Sequence, residues 1–543
     1  MSIVTRVIVF SLKILKKYIA TVFILFIFQN INGQSEVQII GGERLTINQA
    51  KRLTVIAENV VIKHNGVTIQ CDSAIRKTDL GIIEGFGNVY IFQPDTFTLS
   101  GGDYLKYDES SKTAIVTGKN VVLRDAQMTL QTTSILYNTL NQTGFYTNGA
   151  DIQNGSNNLK SKKGYYFRRS NVFNFKDNVV LTSPDYVMYS DTLEYFSGSK
   201  IAYFFGPTKI VSEENIIHCN YGWYNTKTEK AQFSKKASII SGANTIFADS
   251  LLYDKKKGEG RGIGNIKLID TIENFEVYGQ HGLYYQKSKE TWVTQNPLAI
   301  KKDETDTMYI LADTFYYIND TLNKTLKAYY NTAIIQKEFQ GKCDSLVYQF
   351  NDSLISLFHS PILWSKENQI VGDTMFILLK NKKMHRLKVM NNAFLASEVK
   401  SGYYNQIAGD YMNNLFTDNK LDQVLVEGNS EIIYYIRDNE TDSAEYTGVN
   451  KEKCHKMLIF FDSSRVSNIR FYGKPVGKIY PIKEFPESEK HLENLSWKVD
   501  QKPVIDTFLE RKKEIKKSFA LPSKSKESPI NSKKKLKPKK ISK

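Results

Sequence analysis

The chain has 543 residues, 41% hydrophobic and 24% charged, which supports a large buried core and excludes wholesale disorder. Its net charge of +16 sits at the two ends: residues 511–543 carry 14 basic and 2 acidic side chains, residues 1–34 carry four basic ones, and residues 35–510 carry 55 of each sign. The body is neutral, which argues against a basic nucleic-acid surface and leaves no nucleic acid among the expected partners.

In chain order, the first 34 residues read as an export signal. A basic segment ending at Lys16 and Lys17 precedes the apolar run "YIATVFILFIF" (Tyr18 to Phe28) and a polar "QNINGQ". The run is too short for a membrane span, which needs ~20 residues, and suits a signal-peptide core. Cleavage is expected near Gly33 or Gln34, an uncleaved anchor being the alternative. No cysteine lies at the end of the apolar run, so no lipoprotein anchor is expected.

From about Arg52 a motif begins to recur: a small residue, Asp, a hydroxyl or aromatic residue, an apolar residue and often Tyr. Its aspartates are Asp72, Asp103, Asp191, Asp249, Asp313, Asp344, Asp373 and Asp410. Their gaps of 31, 88, 58, 64, 31, 29 and 37 residues are near multiples of thirty. Degenerate copies ("TTSILY", "SKKGYYF", "HCNYGWY", "GQHGLYY") fill the larger gaps. A fixed period of this size marks a stacked repeat architecture. Within a unit, short alternating runs such as "IAYFF", "KIVS" and "IIHCNYGWY" are separated by "GPT" and "EEN", the pattern of strands and turns. The abundance of Tyr (32) and Phe (30) over Pro (12) agrees. The fold class is all-β, an elongated stack of antiparallel strands.

Simple alternation along "TIFADSLLY" puts Phe247, Asp249, Leu251 and Tyr253 on one face and Ile246, Ala248, Ser250 and Leu252 on the other. The recurring Leu and Tyr row is expected to face inward, with the aspartates at corners bonding backbone amides as Asx turns. Candidate residues for an apolar groove are therefore Leu105, Tyr107, Leu193, Tyr195, Leu251, Tyr253, Phe315, Tyr317, Leu346 and Tyr348. Cys71, Cys219, Cys343 and Cys454 occupy the motif's small slot, several repeats apart, and are expected as buried, unpaired thiols.

Little in the sequence points to catalysis. No histidine pair has zinc-ligand spacing on a helix, and no nucleophile elbow or phosphate loop occurs; "KGEGRGIGN" lacks the dinucleotide-loop spacing. One aspartate per thirty residues cannot supply the ~6–8 oxygens of a calcium site. Neither an enzyme nor a cofactor or metal is expected.

The segments Ile83 to Asp125 ("IEGFGNVYIFQPDTFTLSGGDYLKYDESSKTAIVTGKNVVLRD") and Phe173 to Val211 share one sentence: Gly or Asp, Asn-Val, strand, strand, small-Asp-x-Leu-x-Tyr. In this the chain resembles the OstA-like (organic solvent tolerance) family of LptA and LptD N-terminal-domain-like proteins. The resemblance implies an open, V-shaped β-jellyroll in the periplasm. Its apolar interior would shield the lipid A acyl chains of lipopolysaccharide, and its edge strands would pair with other Lpt-type jellyrolls. The chain departs from that pattern in having a dozen or more units and no amphipathic barrel strands.

The expected organisation is a signal peptide (1–34), tandem repeats (35–484, looser after about 438), and an irregular segment with a Lys-rich tail (485–543). The tail is expected to be disordered from Arg511, with possible contact to a membrane surface. Two other classes fit the repeat: a parallel β-helix that binds or degrades polysaccharide, and a passive scaffold.

Overall fold

The structure, a computed structural model, describes residues 36–304, 306–418, 420–437, 445–462 and 465–519. The expected export signal and the tail beyond residue 519 lie outside the described residues. The described chain is all-β and antiparallel, with strands succeeding one another from Gln38 to Pro481. Antiparallel hairpins rule out the winding of a parallel β-helix. Contacts divide the chain into two compact units, one ending at Pro184 and the other beginning at Asp185.

Both units are built from creased strands. In the second, Tyr186–Phe196, Ile201–Ser212, Ile216–Asn225, Lys230–Ser241, Asn244–Asp254 and Glu259–Asp270 pair in sequence order. Each pairing slips at its midpoint; Ser234 faces Ser250, but Ala237 faces Ala248. At most creases one strand of the pair carries successive residues with left-handed φ, including Glu58–Asn59, Gly87–Asn88, Gly264–Asn265, Tyr330–Asn331, Asn391–Asn392 and Gly428–Asn429. Gly and Asn tolerate that conformation best, so the recurring "Gly-Asn" words encode the crease. At Gly264 and Gly428 glycine is required twice over. Their φ angles are +71° and +74°, and a Cβ would lie 2.5 Å from Asp249 Oδ2 and 2.3 Å from Asp410 Oδ2.

The motif aspartates sit at this crease, but their partners differ from the expected Asx turn. Asn88 Nδ2 donates to Asp72 at 3.1 and 3.0 Å, Asn265 to Asp249 at 2.8 Å, and Asn331 to Asp313 at 2.9 Å. Asn392 and Asn429 do the same for Asp373 and Asp410. Only Asp103 takes a backbone amide, from Lys119 at 3.3 Å. Asp344 instead takes the Ser345 hydroxyl at 2.6 Å and lies 3.6 Å from His359. Beside Asp191 lies Gly206, where a Cβ would sit 2.5 Å from the carboxylate. The two halves of the repeated sentence are therefore one device, a carboxylate clasping the Asn of the neighbouring strand.

The crease also corrects the expected faces. Ala248 and Leu251 are both buried while Asp249 between them is exposed, so inward alternation shifts by one residue at the aspartate. Ile246 and Ala248 point inward before it; Leu251 and Tyr253 do so after it. A bulge-like slip of one residue exchanges the faces, which alternation alone could not foresee. It also divides each long strand between two arms, here A (containing Asn244–Ala248) and B (containing Ser250–Asp254), whose inner faces oppose each other.

The ladder continues to Arg465–Tyr472 and Val476–Pro481, beyond the expected loosening. Residues 482–519 then run back along the outer face of arm A. Phe485 and Leu492 pack on Phe394, Ile433, Tyr435 and Val449; Phe508 and Ile515 pack on Leu298, Ile300, Tyr309 and Ile335. Two buried glutamines serve the strap's backbone. Gln406 donates to the Lys490 carbonyl at 2.7 Å and accepts from Leu492 N–H at 2.8 Å; Gln369 donates to the Ser496 carbonyl and accepts from Lys498 N–H. The strap ends in the helix Ile505–Phe519, so the disorder expected from Arg511 is corrected: apolar Phe508 and Ile515 are two turns apart and dock that helix.

Candidate functional site

The candidate site is the space between the inner faces of the arms. Of the ten groove candidates, Leu105, Tyr107, Phe315, Tyr317, Leu346 and Tyr348 lie at 3% exposure or less. Leu193 and Leu251 are also buried, whereas Tyr195 and Tyr253 are half-buried. All ten share the inward face, but only some border accessible space.

Cross-strand pairing shows where that space lies. On arm A one row runs Ile210, Ile217, Ile239, Ile246, Leu268, Val277, Ala299, Ile310 and Ile334, each paired with the next. The four isoleucines are half-buried; from Leu268 onward the row is buried. On arm B the row runs Tyr195, Ala202, Tyr224, Ala231, Tyr253, Gly260, Tyr284, Thr291 and Tyr317. The first four tyrosines are half-buried and Tyr317 is buried.

A ring on every second strand, with a small residue between, spaces the rings about 9.5 Å apart. Two carbon–carbon contacts of ~3.5–4.0 Å fit within that spacing, so each furrow can hold one layer of hydrocarbon. The first unit shows such a furrow filled. Its row Tyr107, Ala114, Tyr137, Gly144 and Tyr166 is paired in the same alternation, and Phe97 from the opposite arm lies 4.3 Å from the Tyr137 ring. In the stretch from Tyr186 to Tyr253 the facing row is isoleucine, and the furrows remain accessible.

Polar latches close the free ends of the arms elsewhere. In the first unit His64 bonds Tyr107 at 2.9 Å and Lys112 at 3.1 Å, Arg168 donates to the Asp95 carbonyl at 3.2 Å, and Tyr166 donates to Asp125. In the second, Tyr317 and Lys324 both donate to buried Asp270 at 2.9 Å, and Phe275 lies 5.1 Å from Phe350 across the interior. Further along, Lys382 pairs with Asp303 at 3.1 Å. The accessible stretch has a looser fastening: the solvent-exposed pair Lys255 and Asp185 at 3.3 Å, and the edge-to-face rings of Tyr186 and Tyr224 at 6.4 Å.

Electrostatics follow burial. Desolvation pushes the Tyr186 phenol up to about 12 and raises Tyr224, Tyr253 and Tyr284; the Glu214 carboxylate on arm A adds to the rise at Tyr253 and Tyr284 on arm B. Burial pulls the Asp270 carboxyl upward, but hydrogen bonds from Lys324, the Glu273 amide and Tyr317 outweigh it and hold the group below its ordinary value. The four cysteines are free and buried, with Cys71 and Cys219 raised to about 11 and Cys343 to about 12 by desolvation. Among the described residues no cluster of three or more His, Cys, Asp or Glu could hold a metal ion. No helix among them is long and apolar enough to cross a membrane.

Sequence reasoning missed arm A's isoleucines, the tyrosines Tyr186, Tyr224 and Tyr284, and the Asp270 latch. The signal was present as "KIV", "NII", "SII" and "TIF" beside each crease, but it is readable only once the face exchange is known.

The family model for OstA-like proteins matches residues 35–191 and 187–249, a range that includes most of the accessible stretch. No curated protein matches the chain. Among solved structures, LptH of Pseudomonas aeruginosa, described as the LptA-homologous periplasmic component of a lipopolysaccharide transport device, is 13% identical. The alignment covers 18% of this chain and 75% of that one, with a TM-score of 0.17. The creased Asp/Asn repeat runs on past the family match, to Asp410 and Asn429, and over residues 35–249 the chain is similar to OstA-like proteins.

Proposed function

We propose that the protein is a non-enzymatic lipopolysaccharide-transport or outer-membrane-assembly protein of the periplasm, which shelters acyl chains between its arms. The observation that carries this reading is the ring-and-gap row from Tyr195 to Tyr253 facing the half-buried isoleucines Ile210 to Ile246, within and just beyond the OstA-like region. Each methylene taken from water contributes about 0.8 kcal/mol, so acyl chains lying in several furrows would be held without specific polar contacts. Edge strands supply the surfaces for partners. Arg44–Asn48 is exposed along its length, and Val476 and Ile479 on the last strand are 72% and 70% exposed, so other Lpt-type jellyrolls could add strands at either end.

The test is photo-crosslinking in cells. Crosslinkers at Tyr195, Tyr224 and Tyr253 should capture lipopolysaccharide, while those at outward Thr192 and Ser250 and at Phe315 in the filled interior should not. Equal labelling at inward and outward positions, or none at either, would support the passive scaffold.

A further inference from the structure

The turns bordering the accessible stretch differ in charge from one arm to the other. On arm B the turns 197–200, 226–229, 255–258 and 286–289 contain Lys200, Lys227, Lys255, Lys256, Lys257, Lys287 and Lys289 against one acid, Glu229. On arm A, Asp185 and the turns 213–215, 242–243 and 271–274 contain Asp185, Glu213, Glu214 and Glu273 and no base. Within the second unit the asymmetry belongs to this stretch; the first unit has a weaker form of it, with Lys51, Arg52, Lys112, Arg168 and Arg169 against Asp79 and Glu109 on the corresponding turns. Further along arm B, the turns 319–324, 350–353 and 381–382 hold two lysines and two aspartates.

Within the second unit, lysines therefore gather on one lip where the tyrosine furrows open, and thin out along the filled stretch that follows. A fully solvated face would not need that coincidence. Among the described residues Lys200, Lys227, Lys287 and Lys289 have no ion pair, and Lys255 is engaged only by the exposed Asp185 across the mouth. The furrows run from the row of rings toward this lip, so an amphiphile whose chain lies between two rings brings its head to the lysines. The acidic lip opposite repels a negative head and leaves it one side on which to settle.

We propose that the lysine lip between residues 200 and 289 is the headgroup subsite of the trough, and that it takes a phosphate-bearing acyl amphiphile with the phosphate on arm B and the chain between the tyrosines. The proposal rests on the reading of the trough as an acyl-chain shelter and adds to it the orientation of the ligand. Binding would replace the Lys255–Asp185 pair by lysine–phosphate contacts and so loosen the mouth as it fills.

The test uses the full mature chain and two probes with the same tail, dodecyl phosphate and dodecyl maltoside, titrated calorimetrically below their micellar concentrations. The fourfold variant Lys200→Gln, Lys227→Gln, Lys255→Gln and Lys289→Gln should weaken dodecyl phosphate by about ten-fold or more and leave dodecyl maltoside unchanged. Glu213→Gln with Glu214→Gln should tighten the phosphate probe, and added salt should weaken it in the parent. If the fourfold variant binds dodecyl phosphate as the parent does, the headgroup assignment is overturned while the trough stands. If the parent binds neither probe, the trough reading falls and the assignment with it.

Discussion

Two stretches of the second unit share one repeat and differ in what fills it. From Tyr186 to Tyr253 the facing rows are isoleucine and spaced tyrosine, and both remain half-buried. From Ala299 to Ile459 the inward positions hold mostly Leu, Ile, Val, Met, Phe and Tyr, and they merge into one continuous core. The crease, the clasp and the pairing are common to both. What differs is side-chain volume between the arms and the fastening at their ends, so an accessible trough and a filled interior can be written on one backbone by changing two rows.

The sharpest way to break that contrast is at the latches. Lys324→Met removes the charge beside buried Asp270 and should cost about 3–5 kcal/mol in chemical denaturation, whereas Lys255→Met acts on an exposed pair and should cost about 0–1 kcal/mol. Equal costs would mean that the two mouths are fastened alike. Next in size are the rows themselves. Leu346→Ala in the filled interior should cost about 2–5 kcal/mol, and Leu251→Ala beside the furrows should cost less because solvent reaches its neighbours.

Acid should act on the filled stretch through Asp270. Its folded pKa is depressed, so the stabilisation is complete above the unfolded value of about 3.9 and is lost as pH falls through the folded value. Unfolding midpoints measured through that window should fall for the parent more than for Asp270→Asn. The smallest effect expected is at the crease. A double-mutant cycle of Asp373→Ala and Asn392→Ala should give a coupling of about 0.5–1.5 kcal/mol, and the Asp249–Asn265 pair of the accessible stretch should give the same.

Much of this was legible in the sequence. The thirty-residue spacing of Asp72 to Asp410 gave the stack, and Tyr and Phe runs gave the strands. The small slot before each aspartate explains the cysteines: at Gly409 in that slot a Cβ would already lie 2.4 Å from Val426. Illegible were features that need three dimensions. The one-residue slip at Asp249 exchanges faces through backbone geometry, not composition. The latch joins Asp270 to Lys324 across 54 residues, and no local pattern announces it. The strap's partners are further still, with Gln406 reaching Lys490 and Arg511 reaching Asn296. A helix as basic as Ile505–Phe519 reads as a solvated tail until the apolar back of arm A is seen beneath it.

That strap sets the order in which the molecule can be completed. A ladder of neighbouring hairpins can form progressively as the polypeptide emerges. The outer surface around Tyr309, Ile335, Ile433 and Tyr435, however, waits for residues made 50 to 200 positions later. Until synthesis reaches the helix Ile505–Phe519, each nascent copy carries a sticky flank. A truncated product ending near Pro481 would keep that flank permanently and self-associate through it.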